Sequence, residues 1–423
     1  MRWLLTSWGS RGDLHPFLAL GRGLVARGHG VAIVGHPEWA EDTAEAGLRF
    51  IATDEPPRGD FLRQHPEIMS RKWGGLSSLR ALVRQAIAPS FDPMLAALRA
   101  EAPAHDVIVA HHFAFPAPIA AELAGKPWVT VSLAPGVVPS AFTRPGTHFG
   151  RAGSDPLAQK WNQVLWHTGS IVAGREIDPL VNQMRRAHGL APIRDAMFGA
   201  HSEKLNLQLY SEKFAPRPAD WSAEKKYGGF CFYDPPGEKA LSPEMEKFLA
   251  EGPPPVLFTL GSAAVHLPGD FYRAAVDAVS SLGLRGILLL GRDDNRPARV
   301  PAHVLAISYA PYGLLMPRVR AVVHQAGIGT LSHVLRAGLP SVAVPFAFDQ
   351  PNNARRLRDL GVAEVLSPNG RTARDMAQAL HQLLTGRATD RARRLGGFLR
   401  AEDGVAKSCA VLESVFEPSR PPG

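Results

Sequence analysis

Cysteine is nearly missing from this chain of 423 residues: Cys231 and Cys409 stand far apart. Two distant thiols suit neither a disulfide framework nor a zinc site, and the cytoplasm is the expected compartment. Long apolar runs are missing too. None approaches the roughly 18–20 residues that cross a bilayer. The opening Trp3-Leu4-Leu5 run is too short for the apolar core of a signal peptide and has no cleavage site behind it. No Walker A pattern exists, since Gly125-Lys126 is followed by Pro127. A GxGxxA pattern at Gly21-Arg22-Gly23-Leu24-Val25-Ala26 falls in the middle of an expected helix. A dinucleotide fingerprint must sit in the turn before one. Interleaved basic and aromatic residues are absent, so no nucleic-acid partner is expected.

What remains is a globular composition, 45% hydrophobic and 20% charged, in a chain long enough for two domains. The formal net charge of +8 is modest for this length. Its densest clusters, Arg355-Arg356-Arg358 and Arg391-Arg393-Arg394, read as solvated helix faces. Attraction to anionic lipid, a peripheral membrane contact, is the alternative.

The most informative stretch runs from His324 to Asn353. The strand Arg320–Val323 enters a small-residue turn, Ala326-Gly327-Ile328-Gly329-Thr330. A helix over Leu331–Ala337 stops at Gly338, and a second strand, Ser341–Val344, stops at Pro345. This βαβ pattern leaves unpaired N–H groups at a helix start, a seat for phosphate. Asp349-Gln350 follows at the carboxyl edge of the sheet, where open α/β sheets hold ligands. The N-terminal end repeats the pattern. Strand Trp3–Thr6 leads through Ser7–Pro16 to a helix over Phe17–Arg27, opened by Pro16 and closed by Gly28, and to strand Gly30–Val34.

The central stretch resembles the HHGGAGT…P…DQ signature of nucleotide-sugar glycosyltransferases with the GT-B fold. His324, Gly327, Gly329, Thr330, Ala337-Gly338-Leu339-Pro340, Pro345, Asp349-Gln350 and Asn353-Ala354 all match at fixed offsets. Gly9-Ser10-Arg11-Gly12-Asp13-Leu14-His15-Pro16 matches a second motif, found in relatives that glycosylate antibiotics, sterols or lipids. The run Ser308–Pro317 and Gly269-Asp270-Phe271-Tyr272 are similar to the rhamnolipid rhamnosyltransferase branch.

The resemblance implies an α/β fold of two Rossmann-like β/α/β domains facing across a cleft. Residues 1–234 would bind acceptor, 235–255 link, 256–398 bind nucleotide-sugar, and 399–423 cross back as a helix. Asp13 would be the general base, with capping of the following helix as its structural alternative. Ser10, Gly12, Ser262, Tyr309, Ala310, His324, Gly327, Gly329, Thr330, Asp349 and Gln350 would bind donor, Tyr309 by stacking on the base. An alternative alignment puts Gln325 instead of His324 on the phosphates. His333 stands where plant relatives hold the ribose with glutamate, which is compatible with a dTDP-sugar.

His15, His112, Phe113 and Phe142 are the acceptor candidates. Residues 134–200, with Phe142, His148, Phe149, Trp161, Trp166 and His167, would cover an apolar acceptor. His111 and His112, adjacent on an expected strand, would point in opposite directions and make a poor metal site.

The implied reaction is a single displacement with inversion. A hexose moves from a UDP- or dTDP-sugar to a hydroxyl of a hydrophobic small molecule or lipid. No cofactor is expected beyond the nucleotide-sugar co-substrate. No metal is expected either, because the chain lacks the D-x-D triplet of metal-dependent sugar transferases. The rivals are a nucleotide-sugar 2-epimerase of the same fold and an inactive nucleotide-sugar-binding member. Acceptor, sugar and oligomeric state are not legible.

Overall fold

The computed structural model describes residues 1–69, 76–143, 155–237, 240–367 and 371–417. His148 and Phe149 lie outside these, as do parts of the expected linker and of residues 54–73, a Pro- and charge-rich stretch that reads as an irregular loop. Chain contacts divide the protein into two units. The first comprises Met1–Gly59, Ser70–Tyr233 and Asp403–Gly423, the second Asp60–Met69 and Asp234–Glu402.

Among the described residues the first unit is built on seven parallel strands: β1 (Arg2–Thr6), β2 (Gly30–Gly35), β3 (Arg49–Ala52), β4 (Val107–His111), β5 (Trp128–Ser132), β6 (Asn206–Gln208) and β7 (Lys225–Tyr227). Their order is β3-β2-β1-β4-β5-β6-β7. The second carries six: β8 (Val256–Thr259), β9 (Gly286–Leu289), β10 (Val304–Ile307), β11 (Ala321–His324), β12 (Ser341–Ala343) and β13 (Ala363–Val365), in the order β10-β9-β8-β11-β12-β13. The central strands are buried on both faces, which is why Trp3-Leu4-Leu5 and Val256-Leu257-Phe258 read as unbroken apolar runs. Each fully buried Leu or Phe contributes about 1.5–3 kcal/mol.

Strand order reverses between β1 and β4 in one sheet and between β8 and β11 in the other. At such a switch point the connections leave to opposite sides, and a crevice opens beyond the carboxyl ends of the strands. Ser7–Asp13 and His111–Phe113 follow the first pair. Leu260–Ser262 and Gln325–Gly329 follow the second.

Several boundaries differ from the sequence expectation. The opening helix spans Arg11–Ala26, so Gly12 and Asp13 lie in its first turn and Pro16 inside it. Ser10 and Asp13 satisfy the helix start between them, which brings it forward despite the proline. Gly23 of the misleading GxGxxA serves packing: a Cβ there would stand 2.4 Å from Val405 of the last helix. Gly228–Tyr233, apolar enough to read as a last strand of the first half, is not one; the pairing segment is Lys225–Tyr227 just before it. Asp60–Met69, expected as irregular, forms a short helix and a 3-10 turn. Leu62 and Met69 pack in the core of the second unit, and Arg63 pairs with Asp294 at 2.6 Å. The single helix expected over Ala388–Phe416 is two, Ala388–Ala401 and Gly404–Phe416. The helix Gln350–Asp359 and strand β13 had not been anticipated.

Candidate active site

In the first crevice Asp13 is the third residue of the opening helix. Its Oδ2 accepts the Ser10 N–H at 2.7 Å and the Ser10 hydroxyl at 3.0 Å. A carboxylate at this position answers both the unpaired N–H groups and the positive helix end. Both readings of Asp13 therefore describe the same carboxylate: it caps the helix through Oδ2. Among the described residues no protein hydrogen bond falls on Oδ1. The side chain is only partly shielded from solvent, yet protein atoms crowd it. That burial raises its pKa, against the lowering effect of the Ser10 bonds and of nearby Arg58. Gly12, beside it, is half-buried. Ser10 is half-exposed.

The His112 and Phe113 rings pack against each other at a tilt, centroids 4.2 Å apart, and Phe113 lies 5.9 Å from Trp8 in the loop after β1. This places two acceptor candidates beside the Asp13 loop. The two histidines do not point apart: β4 ends at His111, so strand alternation stops there, and the rings sit 4.3 Å from each other. His111 Nδ1 and both nitrogens of His112 are buried without hydrogen bonds. Burial lowers His111 to a pKa of about 3 and His112 well below its usual value. Both are therefore neutral near pH 7. His15 packs on Tyr233 at 5.4 Å. Phe142 is half-buried and donates its N–H to the Ser140 hydroxyl. Among the described residues no ring contact joins Phe142 to His112 or Phe113.

The second crevice gathers most of the donor candidates. Gly327 is the N-cap of the helix Ile328–Ala337. The first backbone bond there runs from Leu331 N–H to the Gly327 carbonyl at 3.0 Å. The N–H groups of Ile328, Gly329 and Thr330 come before it, and such groups lack intrahelical acceptors. Gly261, at φ +61°, comes so near that a Cβ would stand 2.2 Å from Gln325 Nε2 and 3.0 Å from Thr330 Oγ1. Gln325 Nε2 donates to Thr330 Oγ1 at 3.3 Å, while its Oε1 is buried without a partner. Ser262 is exposed in the turn beside Gly261.

His324 is fully buried. Its Nδ1 accepts the Ala326 N–H at 3.1 Å, so the ring proton belongs to Nε2, which has no partner. Burial lowers its pKa to about 3. It is a neutral donor, not a cation.

Asp349 stands at the N-cap position of the helix Gln350–Asp359 without a side-chain bond to its first N–H groups, and its Oδ2 accepts from Asn353 Nδ2 at 2.5 Å. The same Asn353 amide donates to the Ala326 carbonyl at 3.0 Å, tying this helix to the turn after β11. Gln350 Oε1 accepts the Phe346 and Ala347 N–H groups at 2.8 and 3.1 Å, which leaves its amide nitrogen to donate. Tyr309 is 64% exposed whereas Ala310 is buried, so the tyrosine ring stands out from the end of β10.

Sequence reasoning missed Tyr312 and Arg58. Tyr312 donates to or accepts from Thr259 at 2.8 Å and also engages Thr330, which ties β8 to the glycine turn. The run Ser308–Pro317 contains it without a signal for this role. No motif marks Arg58. The group His29, Glu413 and Glu417 has the spacing of a metal site, but Arg27 takes both Glu413 oxygens at 2.7 Å, at the amino end of the sheet.

Fold and crevices define the class: a two-unit α/β protein in which a carboxylate and a glycine-turn helix start stand at separate strand switch points. Residues 3–142 match the glycosyltransferase family 28 N-terminal domain, and residues 278–407 the erythromycin biosynthesis protein CIII-like C-terminal domain. The chain is 35% identical to O-mycaminosyltylonolide 6-deoxyallosyltransferase of Streptomyces fradiae, covering 99% of this chain and 98% of that one. It is 29% identical to vancomycin aglycone glucosyltransferase of Amycolatopsis orientalis, covering 100% and 99%. The crystal structure of the kitacinnamycin glycosyltransferase superposes with a TM-score of 0.73 at 23% identity, over 98% and 99% of the two chains. The chain belongs to the GT-B glycosyltransferases, in the group that includes these macrolide and glycopeptide enzymes, and is itself a glycosyltransferase. Among the described residues no helix is long and apolar enough to cross a membrane.

Proposed function

We propose that this enzyme moves a hexose from a UDP- or dTDP-sugar to a hydroxyl of a hydrophobic small molecule or lipid, with inversion and without a metal. The observation that carries the reading is the convergence of Gly261, Gln325, Thr330 and a helix N-terminus at one switch point. This is a seat for a diphosphate made of N–H and amide donors. Relatives named as an O-mycaminosyltylonolide 6-deoxyallosyltransferase and a vancomycin aglycone glucosyltransferase support the transfer of a hexose to a small-molecule acceptor.

Asp13 takes the proton of the acceptor hydroxyl as the oxygen attacks the anomeric carbon and the nucleoside diphosphate departs. Crowding raises its proton affinity and so makes it a better base than a free aspartate. Charge on the departing diphosphate is met by the N–H groups of the helix start and by Gln325, with His324 limited to the part of a neutral donor. Asp349, and Gln350 through its amide, hold sugar hydroxyls. Tyr309 supplies an exposed face for the base, and His333, 5.6 Å from Tyr312, stands at the ribose end.

A panel of UDP, dTDP, UDP-glucose and dTDP-rhamnose in thermal unfolding tests the donor site. Ligand that binds only the folded state raises the midpoint by mass action. Stabilisation by one nucleotide class, followed by acceptor-dependent turnover in excess EDTA, supports the reading. Release of free 2-epimerised donor without acceptor would favour an epimerase. A flat response to all four ligands would remove the donor site.

A further inference from the structure

The loop that carries Asp13 is fastened by a segment remote from it in sequence. After β3 the chain runs through Thr53–Gly59, and this run is tied to the residues after β2. Thr53 N–H bonds the Gly35 carbonyl at 2.9 Å, and His36 Nε2 meets the Pro56 carbonyl at 3.0 Å. The Arg58 N–H donates to Glu38 Oε1 at 2.8 Å. Held in this way, the Arg58 side chain lies over the Trp39 ring, 5.8 Å from its centroid, and donates from its guanidinium to the Gly9 carbonyl.

Gly9 is in turn pressed against Asp13. Its φ is +129°, and a Cβ on it would stand 2.4 Å from Asp13 Oδ2. The Gly9 peptide is thus one wall of the carboxylate's pocket.

We infer that Arg58 is a positioning residue for Asp13: it pins the Gly9 peptide that shapes the carboxylate pocket and sets a fixed positive charge beside it. This rests on the reading of Asp13 as the base. The charged groups packed around Arg58 are Asp13, Glu38 and Glu55, the last at 3.7 Å. His36 is held neutral by burial and by Arg58 itself, and Arg11 is engaged with Asp42 at 3.0 Å. Burial raises the proton affinity of Asp13, and the Arg58 charge opposes it. Without the guanidinium Asp13 holds its proton to higher pH, and a protonated carboxyl cannot accept one from the acceptor.

The test is the pH profile of kcat/KM for the wild type, Arg58→Lys, Arg58→Met and Asp13→Asn, with donor KM measured alongside. Arg58→Met is expected to lower kcat about 10²-fold, the cost of a misplaced reacting group. Donor KM should stay within about twofold, and the acid limb should move to higher pH. Arg58→Lys, which keeps the charge but not the fork, should leave the acid limb in place and recover only part of kcat. If Arg58→Met fails to fold, Arg58→Gln removes the charge while keeping a donor for Gly9 and reads the same limb. An acid limb that stays at the wild-type pH in the uncharged variants overturns the proposal. Asp13→Asn separates the two readings. If it turns over like the wild type, the base assignment fails and Arg58 falls with it; if it is inactive while the Arg58 variants show no shift, only the Arg58 role fails.

Discussion

Ala326 donates its backbone N–H to His324 Nδ1 at 3.1 Å, and it does so with φ at +65°. Left-handed backbone costs an L-residue roughly 1–2 kcal/mol, and glycine adopts it freely. The alanine is strained where the strand bends into the glycine turn, and the bond to His324 fixes the tautomer of that ring. Ala326→Gly should remove the strain and lose about 0.4–1 kcal/mol of that gain to a more flexible unfolded chain. The expected result is a net stabilisation of up to about 1.6 kcal/mol, read as a higher thermal midpoint, with donor affinity unchanged. A lower midpoint would mean that the methyl contributes packing larger than the strain.

Buried neutral histidines make the protein sensitive to acid. His111 and His324 have folded pKa values of about 3 and His201 of about 4, all lowered first by burial. A depressed folded pKa means that the unfolded chain takes up protons the folded one refuses. The stability is present above the unfolded value near 6.5 and is lost as pH falls toward 3–4. Each such histidine removes about 1.4 kcal/mol per pH unit across that window. His111, His112 and His201 line one cavity, so the effect concentrates in the first unit. The thermal midpoint should fall steeply from pH 6.5 to pH 4.5, and a His111→Gln/His324→Gln double variant should show a shallower fall. Parallel curves would show that these rings titrate normally.

Asp13 gives the opposite sign. Its folded pKa is raised, so its contribution to stability is complete below the unfolded value and is lost as pH climbs through the folded one. At pH 7 the ionised carboxylate is a net burden on the fold. Asn keeps an acceptor for the Ser10 N–H. Asp13→Asn should therefore leave the midpoint at pH 7 unchanged or slightly higher while kcat falls by about 10²–10⁴. A loss of activity accompanied by an equal loss of folded protein would reduce Asp13 to a helix cap.

Much of this was legible because the crevice residues sit on strongly patterned elements. β1, β8 and β11 are apolar runs ending in glycine turns, and a turn between a strand and a helix can be read from spacing. The helix start at Arg11 was misplaced by Pro16, since local proline rules gave no weight to the reciprocal Ser10 and Asp13 bonds. Gly228–Tyr233 is as apolar as a strand, yet it lies close against the last helix, where a Cβ on Gly228 would stand 2.1 Å from Ser408 Oγ, and the strand that pairs is Lys225–Tyr227. Arg58 and Tyr312 were out of reach for another reason. Their importance comes from contacts with Gly9 and Thr259, some fifty residues away, and no local pattern encodes such a contact.

The last helix offers a paired test of that packing. A Cβ on Gly404 would stand 2.3 Å from the Phe230 carbonyl oxygen and 2.7 Å from its carbon. Both obstacles are backbone, so the helix start must shift, and Gly404→Ala should cost about 1–3 kcal/mol as other overpacked sites do. Gly397, inside Ala388–Ala401, has nothing within 4 Å of the same position. There the methyl meets only open space and the helix gains propensity, so Gly397→Ala should stabilise by about 0.5–1 kcal/mol. Chemical denaturation of both variants reads the two signs in one experiment. If Gly404→Ala is as stable as the wild type, Phe230 does not hold the helix start, and the close approach of Gly404 to it is not a packing constraint.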